Sequence, residues 1–235
     1  MLRYKIADIV FSVELNYKYT KILCKEYEYF GQEEDAFTCK PTMQEILNEK
    51  QKMPDYPEPF LEGLVVFRKL CDYALEHADG IIFHCSAIMV DGEAYLFTAP
   101  SGTGKSTHAR LWRELLKDKA VMINDDKPII RRVDNEFYVY GTPWKGKHEL
   151  GTNQRAKIKA ICKIYQDKEN KIERISSGEM LLTILNQTVR PTEEKKFDKL
   201  LAILDALLSS VNLYSLGCNI SEQAARLSYD TMKRG

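Results

Sequence analysis

Apolar and polar positions alternate imperfectly over residues 4–15, "YKIADIVFSVEL", which predicts a strand. "KILCKEYEYF" and "DAFTCK" add aromatic and β-branched residues, so the first 50 residues read as a small antiparallel region. "KMPDYPEPF" (52–60) holds three prolines and marks an irregular link. Apolar residues at 61, 64, 65, 71, 74 and 75 then recur at helical spacing. From Gly80 the period returns to that of strands. "IIFHCSAIMV" reads as one strand, "DG" at 91 and 92 as a hairpin turn, and "EAYLFTA" as the returning strand. "STHARLWRELLKD" predicts a helix and "AVMIND" a short strand. "KPIIRRV", "DN" and "EFYVYGT" predict a second hairpin, and "IKAICKIY" a further strand. Three helices close the chain. The first opens at Ser176 and Glu179, which have capping-box spacing; the second is "EEKKFDKLLAILDALLSSV"; the third follows Ser221. No internal repeat or low-complexity tract interrupts the pattern.

Composition narrows the function classes. The chain has 235 residues, enough for one large domain or a core with a smaller partner. Lysine plus arginine equal aspartate plus glutamate, 34 against 34, which argues against a dedicated nucleic-acid or anionic-membrane binder. No apolar run approaches the roughly 18 residues of a membrane span, and the N-terminus lacks a signal-peptide layout. Six cysteines show no CxxC spacing, and Cys85 and Cys162 lie in apolar runs as buried thiols do. The expectation is a soluble, cytoplasmic protein.

The chemistry concentrates in "APSGTGKSTHARLW", residues 99–112. In a phosphate-binding loop, glycines let backbone N–H groups turn onto phosphates, a lysine reaches the terminal phosphates, and the next hydroxyl binds Mg²⁺. Gly102, Gly104, Lys105 and Ser106 supply these parts between a strand and a helix. Ala99 stands where the pattern has its first glycine, which is compatible with the turn if its φ stays negative. The strand entering the loop is the second arm of a hairpin, unlike the parallel arrangement of common P-loop nucleotidases. Counting outward from Asp91–Gly92 pairs 90 with 93 and, without a bulge, 84 with 99. His84 is thereby expected beside the start of the loop.

Asp125 and Asp126 end the next apolar strand, where a nucleotide kinase needs a carboxylate for Mg²⁺ and another for the attacking hydroxyl. Adjacent strand residues point to opposite sides, so the two should differ in role. "GTPWKGKHE" (141–149) offers Lys145 and Lys147 to phosphates or an acidic substrate, or is a solvated loop with Trp144 packed down. Arg190 ends a helix, as a surface cation or as a phosphate contact. Asn219 precedes the last helix as a turn residue.

With these residues assembled, the chain resembles the HPr kinase/phosphorylase family. More closely it resembles the HPr-kinase-related proteins found with peptide-modification genes, often labelled phosphoenolpyruvate-carboxykinase-like. "FHCSAIMVDG", "APSGTGKSTHARLW", "INDDKP", "GTPWKGK" and "LGCNISEQAA" carry the resemblance, closely over about residues 80–150 and more loosely beyond. It implies an α/β (α+β) fold: a P-loop core of mixed sheet over 79–235, entered by a hairpin and flanked by helices, after a small N-terminal α+β region over 1–78. It implies ATP and Mg²⁺ as cofactors, with Ser101, Gly102, Thr103, Gly104, Lys105, Ser106 and Thr107 around the phosphates. Ser106 then binds metal, and His84 is the active-site histidine. Asp125 and Asp126 form the acidic pair, one for metal and one as general base. Many relatives assemble, so a homo-oligomer is possible. No segment near the C-terminus matches the HPr-docking segment of true HPr kinases, and HPr is not implied as the substrate.

The expected function is a kinase that moves the γ-phosphoryl group of ATP to a serine hydroxyl on a peptide, protein or small molecule. Two alternatives stand beside it. One is a carboxykinase-like enzyme on a carboxylic acid, for which four histidines offer little of the second metal site it needs. The other is a non-catalytic module that holds a peptide under nucleotide control, which would need neither the acidic pair nor His84.

Overall fold

The imperfect alternation over 4–15 has a simple cause: the stretch is a hairpin, not one strand. In the computed structural model, which describes residues 1–235, β1 (Leu2–Ile6) and β2 (Ile9–Val13) pair antiparallel. Ala7 and Asp8 between them take φ of 53° and 57°, as a two-residue turn between twisted strands requires. The antiparallel expectation fails beyond this point. "KILCKEYEYF" forms α1 (Tyr19–Leu23) and a 3₁₀ turn (Lys25–Tyr27), and β3 (Phe37–Cys39) joins β2 in parallel. Its aromatic character reports burial of Cys24 and Tyr27 against the small sheet, not extended backbone. Helix α2 (Met43–Lys52) was not expected either, although its signal was present: Thr42 and Glu45 form a reciprocal capping box. After the proline-rich link, α3 (Glu58–His77) runs as its periodicity predicts, with Pro59 tolerated in its first turn. Val66, Phe67 and Leu70 of α3 join the small sheet to Ile82, Ile129 and Tyr140 of the following region in one apolar cluster.

The remaining strands form one sheet of nine. The expected strand over 81–90 is broken into β4 (Gly80–Ile82) and β5 (Ser86–Val90). β5 returns through the Asp91–Gly92 turn into β6 (Glu93–Thr98), and α4 (Lys105–Leu116) follows the loop. Next come β7 (Ala120–Asn124) and a hairpin of β8 (Ile129–Val133) with β9 (Glu136–Tyr140). The long β10 (Arg155–Gln166) is followed by β11 (Lys171–Arg174), α5 (Ser177–Asn186), α6 (Glu194–Ser210), β12 (Asn212–Cys218) and α7 (Glu222–Arg234). The three closing helices stand where the sequence placed them, with side-chain caps from Ser176 and Ser221. β11 and β12 escaped notice: "NLYSLGC" is buried from Leu213 onward and lacks alternation, and β11 is a short, mostly exposed strand of charged residues around Ile172.

Strand order is β4-β8-β9-β10-β6-β5-β7, with β12 also on β10 and β11 on β12. β10 has room for three partners because β9 takes its first residues and β12 its last, while β6 lies along the other side. β6, β10 and β12 are mutually parallel. β7 runs the same way as β6, since both are antiparallel to β5. Four strands therefore end at one edge, the place where open α/β sheets bind ligands.

Helices cover both faces. Ala94 and Leu96 of β6 point to Met180, Ile184, Leu204 and Leu207 of α5 and α6. Tyr95 and Phe97 point the other way, to Trp112 of α4 and Met232 of α7. Trp112 is fully buried, and truncating it to Ala would cost roughly 3–5 kcal/mol. All six cysteines are buried free thiols. No helix is long and apolar enough to cross a membrane. The mixed α/β sheet flanked by helices and preceded by a small N-terminal sheet is the fold class that the sequence predicts.

Candidate functional site

The phosphate-type loop leaves β6 at the common strand edge. Ala99 is buried and keeps a negative φ, while Gly102 and Gly104 take φ of 80° and 122°. A Cβ at either glycine would meet nothing within 4 Å, so the left-handed backbone, not crowding, demands glycine there. Gly104 is the N-cap of α4, and no side chain caps this helix. The first N–H groups of α4 thus stand without helical partners and favour an anion. The Lys105 ammonium donates to the carbonyls of Ala99 (2.7 Å) and Pro100 (3.4 Å). Burial lowers its pKa against the opposing pull of Cys85, Asp126 and Asp125. Ser101 and Gly102 are exposed, and Thr103, Ser106 and Thr107 are half-buried along the same turn.

The acidic pair follows β7. Ser86, the first residue of β5, donates to Asp125 Oδ1 at 2.5 Å. His84 Nε2 lies 2.9 Å from Asp126 Oδ1, and Lys127 bonds the other oxygen of Asp126. Burial opposes ionisation of Asp126, but the bonds from His84 and Lys127 outweigh it and hold the carboxyl below its ordinary range. The two aspartates lie in a turn, not in the strand, and still face different partners.

The backbone around His84 explains its placement. The hairpin register holds from Val90–Glu93 out to Ser86–Phe97 and stops there. The expected pairing of 84 with 99 is not formed, because β4 departs to the opposite edge and pairs with β8. His84 sits in the gap, its N–H bonded to Gln187 O at 2.7 Å and its carbonyl accepting from Thr98 Oγ1 at 3.4 Å. Counting placed it beside the loop; the break in the strand turns its side chain to Asp126.

Several residues that hold this site were missed by sequence reasoning. Asn124 is fully buried and accepts from the N–H groups of Asp126 and Lys127, both at 2.8 Å. It donates to the carbonyl and hydroxyl of Thr142, both at 3.1 Å. An asparagine just before a turn was a readable signal for this arrangement. Ser86 carried no such signal. Gly146 takes φ of 71°, and a Cβ there would lie 2.9 Å from Asp126 Cβ, so the "GTPWKGK" loop rests on the acidic turn. Trp144 packs on Phe67 of α3, with ring centroids 4.6 Å apart, and Lys145 pairs with Glu26 at 2.7 Å. Lys147 is exposed. Arg190 lines a separate cavity of about 230 Å³ with Arg68 and Lys196, between α3 and α6. Asn219 serves a turn, bonding Lys168 O and Ser221.

The donor set suits Mg²⁺, which takes hard oxygen ligands and is commonly held by one or two carboxylates together with phosphates. Asp125 offers a carboxylate whose second oxygen makes no hydrogen bond, and Ser106 a hydroxyl in the first turn of α4. No group of three His, Cys, Asp or Glu side chains is placed to hold a metal by itself.

Against known proteins, no family model matches the chain, and no curated protein matches it. Among solved structures it is similar to the HPr(Ser) kinase/phosphatase from Coxiella burnetii, with a TM-score of 0.38 and 10% sequence identity, covering 65% of this chain and 93% of that one.

Proposed function

We propose that this protein is an ATP-dependent kinase that transfers the γ-phosphoryl group to a serine hydroxyl of a peptide, protein or small molecule. The observation that carries the reading is the contact between His84 and Asp126 at the same strand edge as the uncapped loop helix. A module that only holds nucleotide has no use for an ionised carboxylate braced by a histidine. The motif resemblance to the HPr kinase/phosphorylase family supports the same reaction.

The chain's residues divide the work as follows. The N–H groups from Ser101 to Thr107 and the Lys105 ammonium receive the phosphates. Lys105 leaves its contacts to Ala99 and Pro100 for this. Ser106 and Asp125 would hold Mg²⁺, which would supply neutralisation of charge on the phosphates. Asp126 takes the proton of the acceptor hydroxyl. It is ionised, and each of its oxygens can accept a further hydrogen bond beyond those from His84 and Lys127. His84 orients Asp126 and stands beside the transferring group.

The test is incubation with labelled ATP and serine-bearing peptides encoded by neighbouring genes, followed by mass spectrometry. Added phosphate that disappears in Asp126→Asn supports the kinase. Nucleotide binding without turnover, with any acceptor or with water, supports the binding module instead.

A further inference from the structure

We propose that the cavity between α3 and α6 is an acceptor subsite, which takes an acidic side chain of a peptide two or three residues from the serine that receives phosphate. This rests on the kinase reading above and names the class of acceptor. The cavity measures about 230 Å³. That is less than the roughly 300–1,000 Å³ of a whole small-molecule site, and it suits one side chain. Leu75, Ile81 and Leu200 supply apolar wall for the stem of that side chain, and Arg68, Arg190 and Lys196 supply positive charge.

The backbone joins this cavity to the catalytic pair. Beyond α5 the chain runs antiparallel to β4, with Phe83 opposite Thr188. The His84 N–H bonds Gln187 O, and the Val189 N–H bonds Ile82 O at 3.3 Å. Ile82, Val189 and Arg190 belong to the cavity wall. The wall thus begins two residues from His84, about 7 Å along extended backbone. His84 stands between it and the phosphate loop, since the His84 carbonyl accepts from Thr98 at the loop's start. An in-line transfer brings the acceptor in from the side away from the nucleotide, and the cavity lies on that side of His84. Lys127 spans the same gap. It bonds Asp126, and its charge, with that of Arg68, opposes the rise that burial imposes on the Cys71 thiol of the wall.

The charges of the wall are unequally engaged. Lys196 is held by Glu76 and Glu193, and Arg68 by Glu49, whereas Arg190 alone of the three cations has no ion-pair partner. Pro191 after it keeps the Arg190 backbone extended. Asp72 faces the same cavity, and burial raises its pKa while the charge of Lys196 opposes the rise. A ligand carboxylate can meet the Arg190 guanidinium as a bidentate pair. The amide N–H groups of a peptide are donors for Asp72. An acidic peptide supplies both kinds of group.

The test is a library of peptides with one central serine and randomised flanks, given with labelled ATP and Mg²⁺ to the full chain and read by mass spectrometry. At low peptide concentration, Asp or Glu at one position within three residues of the serine should raise phosphate incorporation at least about fivefold over Asn or Gln there. Arg190→Gln should bring the two sets together, and Arg190→Glu should favour Lys or Arg at the same position, a switch that misfolding cannot produce. Lys195→Gln, which lies outside the cavity, should keep the acidic preference. Phosphorylation without an acidic preference overturns the subsite and leaves the kinase standing. A preference that survives Arg190→Gln, or that Lys195→Gln also removes, overturns the subsite too. A library that takes up no phosphate does the same, and absence of ATP turnover in those samples marks that failure as one of the kinase itself.

Discussion

His84 Nε2 and Asp126 Oδ1 lie 2.9 Å apart although 42 positions separate them in the chain. Their meeting depends on β5 and β7 being neighbours and on β4 leaving the sheet edge just before His84. If this pair handles the acceptor proton, His84→Ala and Asp126→Asn should both lower turnover with nucleotide affinity kept. Asp125→Asn should instead weaken nucleotide binding in a way that added Mg²⁺ partly restores. Turnover and affinity across a Mg²⁺ series separate the two patterns. Parent-like transfer in all three variants would leave the binding module as the surviving reading.

Lys105→Ala should abolish ATP binding and leave the fold intact. The ammonium bonds only carbonyls of its own loop, so its loss removes a charge-assisted contact to phosphate and little else. Calorimetry beside a thermal melt checks both halves. Ala99→Gly, at a residue with negative φ, should leave activity unchanged and cost roughly 0.5–1 kcal/mol of stability through the unfolded state.

Asn124→Ala should destabilise the protein by about 1–3 kcal/mol, because it strips the acceptor from two N–H groups of the acidic turn. Turnover should fall further than stability alone explains, since the turn that aims Asp125 and Asp126 loosens. Urea denaturation and steady-state rates on the same preparation give the comparison.

Gly146→Ala should cost about 1–2 kcal/mol for its left-handed backbone alone. Its new methyl would also press on Asp126. Lys147→Ala, one residue on and exposed, should leave stability within about 0.5 kcal/mol. Chemical denaturation of the two variants side by side tests the contrast.

Burial pushes the His108 imidazole down to about 4. The unfolded chain takes up this proton below the ordinary histidine value, about 6.5, and the folded protein does not until about 4. Stability from this group is therefore complete above pH 6.5 and is lost as pH falls toward 4, by up to about 1.4 kcal/mol per pH unit. His108→Phe should flatten that part of the pH–stability curve. An unchanged slope in denaturation between pH 6.5 and 4 would refute the assignment.

Local chemistry made much of this protein legible from its sequence. Gly102, Gly104, Lys105 and Ser106 announce their loop because a short backbone turn needs those residues in that order. Asp91–Gly92 fixes a hairpin register because only a primed turn fits its strands. Ser176–Glu179 and Ser221 start helices through bonds made within a few residues. Other features arise only from the tertiary fold. Nothing near His84 in the chain says that its strand breaks there, since Ile81–Val90 is apolar apart from His84 and Ser86 and holds no Gly or Pro, and only the competition between β8 and β6 for this segment divides it. Ser86 and Gly146 support the acidic turn from two separate segments, and the buried His108 bonds a serine 120 positions away. Short-range sterics and hydrogen bonds are written in local sequence, whereas strand partners and shared burial depend on which distant segments the whole chain can bring together.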